Sequence, residues 1–204
     1  MKIDDLLTFP LFSEELGIDL QSSCDQELFK WLLAATLFGG PVSRDIARKT
    51  YRTFQKYQLL DPESISRAGW SYLVHPVMQE GGYVRYDGIA ATNVMDICNT
   101  LQNYYQGSLT QLHDTAANAE DLEGRLTAMH GMEPDVANIF LRELRPVWTK
   151  ADPEPLPVVM EMAKKYKLDL SSLNRKGPDF ARIESALIRL KRTRSKRTRR
   201  TAPI

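Results

Sequence analysis

At 204 residues, with 43 % hydrophobic and 26 % charged side chains, the chain has ordinary globular composition, with material for one domain or two small lobes around a substantial core. No apolar run approaches the ~20 residues needed to cross a bilayer, and Met1-Lys2-Ile3-Asp4-Asp5 before Phe9-Pro10 lacks the basic-then-apolar pattern of a secretory leader, so a cytoplasmic or nucleoid-associated protein with no membrane partner is expected. The formal net charge of +1 is the sum of two unlike parts: residues 1–188 carry 19 basic and 26 acidic side chains, a net of −7, and eight basic residues crowd between Arg189 and Arg200.

Helical periodicity runs through the sequence and strand-like alternation is nearly absent, so the fold class expected is all-α, with about nine helices. From Asp25 the residues Leu28, Phe29, Leu32, Leu33, Thr36 and Leu37 make a wide apolar stripe that Gly39-Gly40-Pro41 stops. Ser43 is a good N-cap for a second helix faced by Ile46, Ala47, Thr50, Tyr51 and Phe54. Asp61-Pro62-Glu63 opens a short helix, and Trp70, Leu73, Val74 and Val77 mark the next, ended near Gly81-Gly82.

The longest regular segment places Ala90, Val94, Ile97, Leu101 and Tyr104 on one face and ends at Gly107. A linker with His113 and Asp114 leads to Leu122, Leu126 and Met129, and after the turn His130-Gly131-Met132-Glu133 come Pro134, Val136, Ala137, Phe140, Leu141 and Leu144. Asp152-Pro153-Glu154-Pro155-Leu156-Pro157 reads as a stiff connector, with Asp152 capping the helix of Val159, Met162 and Tyr166. Gly177-Pro178 starts the last helix, which carries Phe180, Ile183, Leu187 and Leu190. Trp31, Trp70 and Trp148 fall on apolar faces and are expected in the core. Residues 189–204, with no acid beyond Glu184, are expected to be a disordered basic tail drawn to polyanions regardless of sequence.

Two cysteines, Cys24 and Cys98, are too few for a four-thiolate cluster or zinc site, and two reduced, partly buried thiols are expected. His75, His113 and His130 show no metal-ligand spacing. Neither metal nor cofactor is expected.

The helices on either side of Gly131 form a helix–hairpin–helix, whose turn offers backbone N–H groups and a helix dipole to a phosphate. In its setting this segment carries a resemblance. Tyr86-Asp87-Gly88-Ile89-Ala90-Ala91-Thr92-Asn93 with its long helix, Leu122-Glu123-Gly124-Arg125-Leu126, and Met129 to Ala137 resemble the helix–hairpin–helix superfamily of base-excision DNA glycosylases, the endonuclease III-like fold. Met129-His130-Gly131-Met132-Glu133-Pro134-Asp135-Val136-Ala137 looks like that family's Leu-Pro-Gly-Val-Gly-x-Lys-Thr-Ala hairpin, and the likeness in helix order spans roughly residues 27–190.

The resemblance implies a two-lobed helical fold, with a central lobe of about 31–145 and a second lobe built from about 1–30 and 146–188, gripping bent or damaged double-stranded DNA and flipping a base into a cleft. It assigns Asp152 as the catalytic carboxylate, with Glu154 as fallback, and assigns DNA contact to His130, Gly131 and Met132 of the hairpin and Gly39 and Gly40 of the upstream loop. The tail residues Arg192, Arg194, Lys196, Arg197, Arg199 and Arg200 add nonspecific DNA affinity. Asp135 stands where bifunctional members carry the Schiff-base lysine, so no lyase step follows, and Glu133 replaces the second hairpin glycine. The expectation is a monofunctional glycosylase hydrolysing the N-glycosidic bond of a damaged base. The alternative is a non-catalytic relative that binds DNA or a protein partner. A third reading gives the tail to RNA or an acidic protein.

Overall fold

The computed structural model describes residues 2–199, and among them there are helices, turns and loops with no strand. The helices in chain order are α1 (Ile3–Leu7), α2 (Phe12–Glu15), α3 (Asp25–Gly39), α4 (Arg44–Lys56), α5 (Pro62–Tyr72), α6 (Gln79–Gly81), α7 (Asp87–Tyr105), α8 (Leu109–Thr115), α9 (Ala119–Thr127), α10 (Pro134–Leu144), α11 (Pro157–Tyr166) and α12 (Pro178–Arg199). A 3-10 turn at Leu20–Ser22 and a π-helical stretch at Leu73–Met78 complete the set. No helix among the described residues is long and apolar enough to cross a membrane.

The centre is α3, which packs against α4, α7, α8 and α10. Its sequence explains its position: Leu28, Phe29, Trp31, Leu32, Leu33, Ala34, Ala35, Thr36 and Leu37 are all buried, and a helix apolar on every side must be enclosed. Trp31 donates from Nε1 to the Phe140 carbonyl at 3.0 Å, which satisfies the indole inside the core and ties α3 to α10. By contrast α4 is amphipathic, burying Ala47, Thr50, Tyr51, Thr53 and Phe54, and Ser43 caps it by accepting from the Ile46 N–H at 3.2 Å. Asp61 caps α5 in the same way, accepting from Ser64 N–H at 2.8 Å, with Pro62 in the first turn.

The buried apolar residues fall into two clusters. The larger runs from Phe12 to Ala151; the smaller joins Leu6 of α1 to Val159, Met162 and Ala163 of α11, Leu170, and Phe180, Ile183, Ala186 and Leu187 of α12. The chain thus enters the larger cluster at Phe12, well before the boundary near residue 30 expected from the sequence.

Polar residues seal the seam between the clusters. Both oxygens of buried Glu143 accept from the first turn of α2, from Phe12 N–H and Ser13 N–H at 3.0 Å each, and Ser185 Oγ of α12 donates to it at 3.3 Å. Arg145, wholly buried, pairs with Glu184 and donates to the Pro153 carbonyl.

Four expectations differ from this architecture. The stretch expected to link Gly107 to Leu122 contains α8, held because Asp25 accepts from Ser108 Oγ and Thr110 N–H at 2.8 Å each. Trp70 is 47 % exposed rather than core, its Nε1 donating to Thr92 Oγ1 at 3.0 Å, while Trp31 and Trp148 are buried. Tyr104 lies on the outer side of α7, 75 % exposed. The backbone does not become a disordered tail at residue 189: α12 continues to Arg199, and Arg189 belongs to the body, its guanidinium 3.9 Å from the Phe12 ring centroid and 3.0 Å from Glu15.

Candidate nucleic-acid interface

The loop after α3, the loop before α7 and the turn before α10 converge on one groove of about 280 Å³. Gly39, Gly40 and Pro41 form one wall, Tyr83 and Tyr86 another, and Asn93, Gly131 and Glu133 close it. These glycines are there because neighbours come too close for a side chain. A Cβ on Gly40 would collide with the Tyr83 hydroxyl and one on Gly39 with Val136. Tyr83 is buried and donates to the Leu37 carbonyl at 3.4 Å, and burial pushes its hydroxyl up to about 12. At the hairpin turn, Gly131 has φ +86°, and a Cβ would lie 2.5 Å from the Cβ of Asn93.

The same geometry reassigns most of the expected hairpin contacts. Met132 is 1 % exposed and belongs to the core, and Gly131 is buried against α7. His130 does reach solvent, but its Nδ1 sits 2.6 Å from Asp96 Oδ2. Glu133 and Asp135 are exposed at the start of α10, so the turn presents carboxylates where a phosphate would need donors alone. The turn is a poor phosphate seat.

Asp152 lies away from this groove and does not cap a helix, because α11 starts five residues later at Pro157 with Leu156 as its N-cap. Its Oδ1 is 3.1 Å from Arg175 Nε and 3.4 Å from Arg145 Nε, and its side chain is one-third exposed. Arg175 also reaches Glu154 at 2.9 Å. Two guanidinium groups therefore flank the assigned acid, each shared with a further carboxylate, and Asp152 is engaged in ion pairs rather than standing free toward a sugar.

Positive charge gathers elsewhere, on a helix that the sequence pattern alone does not single out. Along α4 stand Arg44, Arg48, Lys49, Arg52 and Lys56, with Asp45 the single acid among them. Lys49 and Arg52, three residues apart, are both exposed. The first turns of α4 lie against α12: Arg44 Nη2 donates to the Ile188 carbonyl at 3.1 Å, and Arg48 and Arg189 share Glu15, at 3.2 and 3.0 Å. The cations at 4- and 3-residue spacings were the available signal, obscured by the denser block that follows Arg189. Of that block, Lys191 pairs with Glu161; Arg200 and the side chains of Arg192, Arg194, Lys196, Arg197 and Arg199 lie outside the described residues.

No group of three or more histidine, cysteine or acidic side chains among the described residues is arranged to hold a metal ion. Compared with known proteins, the chain matches no family model, no curated protein and no solved structure.

Proposed function

We propose that the chain is a DNA-binding protein on a two-lobed helix–hairpin–helix scaffold of the glycosylase type, and that it holds duplex DNA without hydrolysing the N-glycosidic bond. The observation that carries this reading is the run of Arg44, Arg48, Lys49, Arg52 and Lys56 along α4, with Lys49 and Arg52 exposed, in a chain whose other concentration of cations lies from Arg189 onward. A row of solvated Lys and Arg side chains tracks a phosphate backbone by displacing counterions and carries no sequence information. The groove at Gly40 and Tyr86 lies at the end of the loop that leads into α4, in reach of a distorted duplex.

The enclosure of Asp152 by Arg145 and Arg175 favours binding over catalysis. A carboxylate that stabilises a developing oxocarbenium ion acts through uncompensated charge aimed at the sugar. Duplexes carrying uracil, alkylated or oxidised bases, incubated with the protein and then cleaved with alkali, should stay intact while the charge-reversed pair Lys49→Glu and Arg52→Glu weakens duplex binding at least tenfold. Base release that disappears in Asp152→Asn would restore the hydrolase reading instead. Binding unchanged by the charge reversal would remove α4 from the interface.

A further inference from the structure

Trp31 and Trp148 are buried, whereas Trp70 is half exposed although its side chain is held at two points. Its Nε1 donates to Thr92 Oγ1 at 3.0 Å and to the Gly88 carbonyl at 3.3 Å, and a Cβ on Gly88 would lie 3.3 Å from the indole, which thus rests on the first turns of α7. Helix α5 breaks at Gly69, with φ +78° and ψ 163°, immediately before this residue.

The surroundings of the indole are apolar and cationic. Ile89, one position round α7 from Gly88, is exposed, as are Val84 and Arg85, and the Arg85 guanidinium lies 5.6 Å from the Tyr86 ring centroid. The segment leading to Arg85 packs on α4: a Cβ on Gly81 would meet Thr50, and one on Gly82 would touch Ile46. Exposed Lys49 falls between those two contact positions, and exposed Arg52 follows. The acids of this segment are engaged: Glu80 by Lys56 Nζ and the Tyr57 hydroxyl at 2.6 Å each, and Asp87 by Gly88 N–H at 2.8 Å and Gln79 Nε2 at 3.2 Å.

We propose that this surface binds an unpaired DNA strand, with a base stacked on Trp70 and phosphates on Arg85, Lys49 and Arg52. Every base has a π-face, so such stacking tolerates any sequence, and the cations beside it track the backbone. An indole already fixed by two hydrogen bonds loses little side-chain freedom when a base covers it. Bases inside a duplex are stacked on one another and leave Trp70 nothing to cover. The inference rests on the DNA-binding reading and adds to it a preference for unpaired strand at the start of α7.

Titrating the full chain with an oligothymidylate of about 12 nucleotides should quench tryptophan emission saturably, since Trp70 is the half-exposed indole. Trp70→Phe should keep the affinity and lose the quench. Trp70→Ala should bind the oligothymidylate at least fivefold more weakly and duplex equally well, both read by fluorescence anisotropy. The titration of the unaltered chain stands even if Trp70→Ala does not fold. Unchanged emission, a quench that persists in Trp70→Phe, or an equal loss of duplex affinity in Trp70→Ala would overturn the inference while leaving the duplex reading intact. Failure to bind any DNA at low salt would remove both.

Discussion

Arg145 Nε stands 3.4 Å from Asp152 Oδ1, and the same guanidinium pairs with buried Glu184 and donates to the Pro153 carbonyl. One side chain thus binds the acid that the sequence singles out, the connector that carries it, and the helix that closes the second apolar cluster. Asp152 is a strut in this arrangement. Its two arginines hold the connector against α12.

Removing that strut should cost stability in a pH-dependent way. Arg145→Met leaves Glu184 buried without its cation, and breaking such a pair costs about 3–5 kcal/mol, whereas Arg175→Met, at a partly exposed pair, should cost about 1 kcal/mol or less. Burial already raises the Glu184 carboxyl above 4.5, against the opposing pull of Arg145 and Arg142. A carboxyl whose folded value exceeds its unfolded value loses stability as pH rises from the unfolded value through the folded one. Without Arg145 the folded value rises further. Denaturant unfolding should therefore show a larger loss for Arg145→Met at pH 8 than at pH 5, and equal losses at both would place Glu184 in a more hydrated setting.

Gly131→Ala should destabilise by about 1–3 kcal/mol, since the added methyl meets Asn93 and the residue is held at φ +86°. Asn93→Gly in the same chain should not restore full stability, since the Asn93 Cα still lies 2.8 Å from the added methyl, the φ penalty remains, and a glycine inside α7 costs about 1 kcal/mol of its own. Thermal melting of the single and double variants checks this. An unaffected melting temperature in Gly131→Ala would mean that the turn is looser than its packing implies.

The two thiols should differ in reactivity. Cys24 is exposed and accepts a hydrogen bond from Ser22 Oγ at 3.4 Å, which holds its thiol below the ordinary value, while burial pushes Cys98 well above it. Brief alkylation at pH 7.5 followed by peptide mass spectrometry should label Cys24 alone, and Cys98 only after denaturation. Comparable labelling of both would show that α7 opens readily.

Long periodic helices were legible because their pattern is local. The stripe from Leu28 to Leu37, the Ser43 and Asp61 caps and the run from Ala90 to Leu101 could each be read without knowing what they pack against. Helices α1 and α2 were not, since five and four residues are too few to show a period, and α2 is anchored by Glu143 from more than a hundred residues away. Asp152-Pro153 looked like a helix start, but Pro155 and Pro157 follow, and each proline holds the residue before it extended until the helix can begin at the last one. Of the candidate site, the sequence marked Gly39, Gly40 and Gly131, which do share a groove; nothing in it indicated that Met132 points inward or that two arginines close on Asp152.

The most direct measurement is duplex affinity against salt concentration, by fluorescence anisotropy, for the full chain and for a chain ending at Lys191. Ending there keeps Arg189 and Lys191, which bind Glu15 and Glu161, and removes six basic residues from the sequence. The full chain should bind, with log affinity falling linearly in log salt; the shortened chain should show a shallower slope, reduced by roughly 0.9 for each phosphate no longer neutralised, yet keep a salt-dependent affinity from Lys49 and Arg52. No measurable duplex binding by the full chain at low salt would contradict the account.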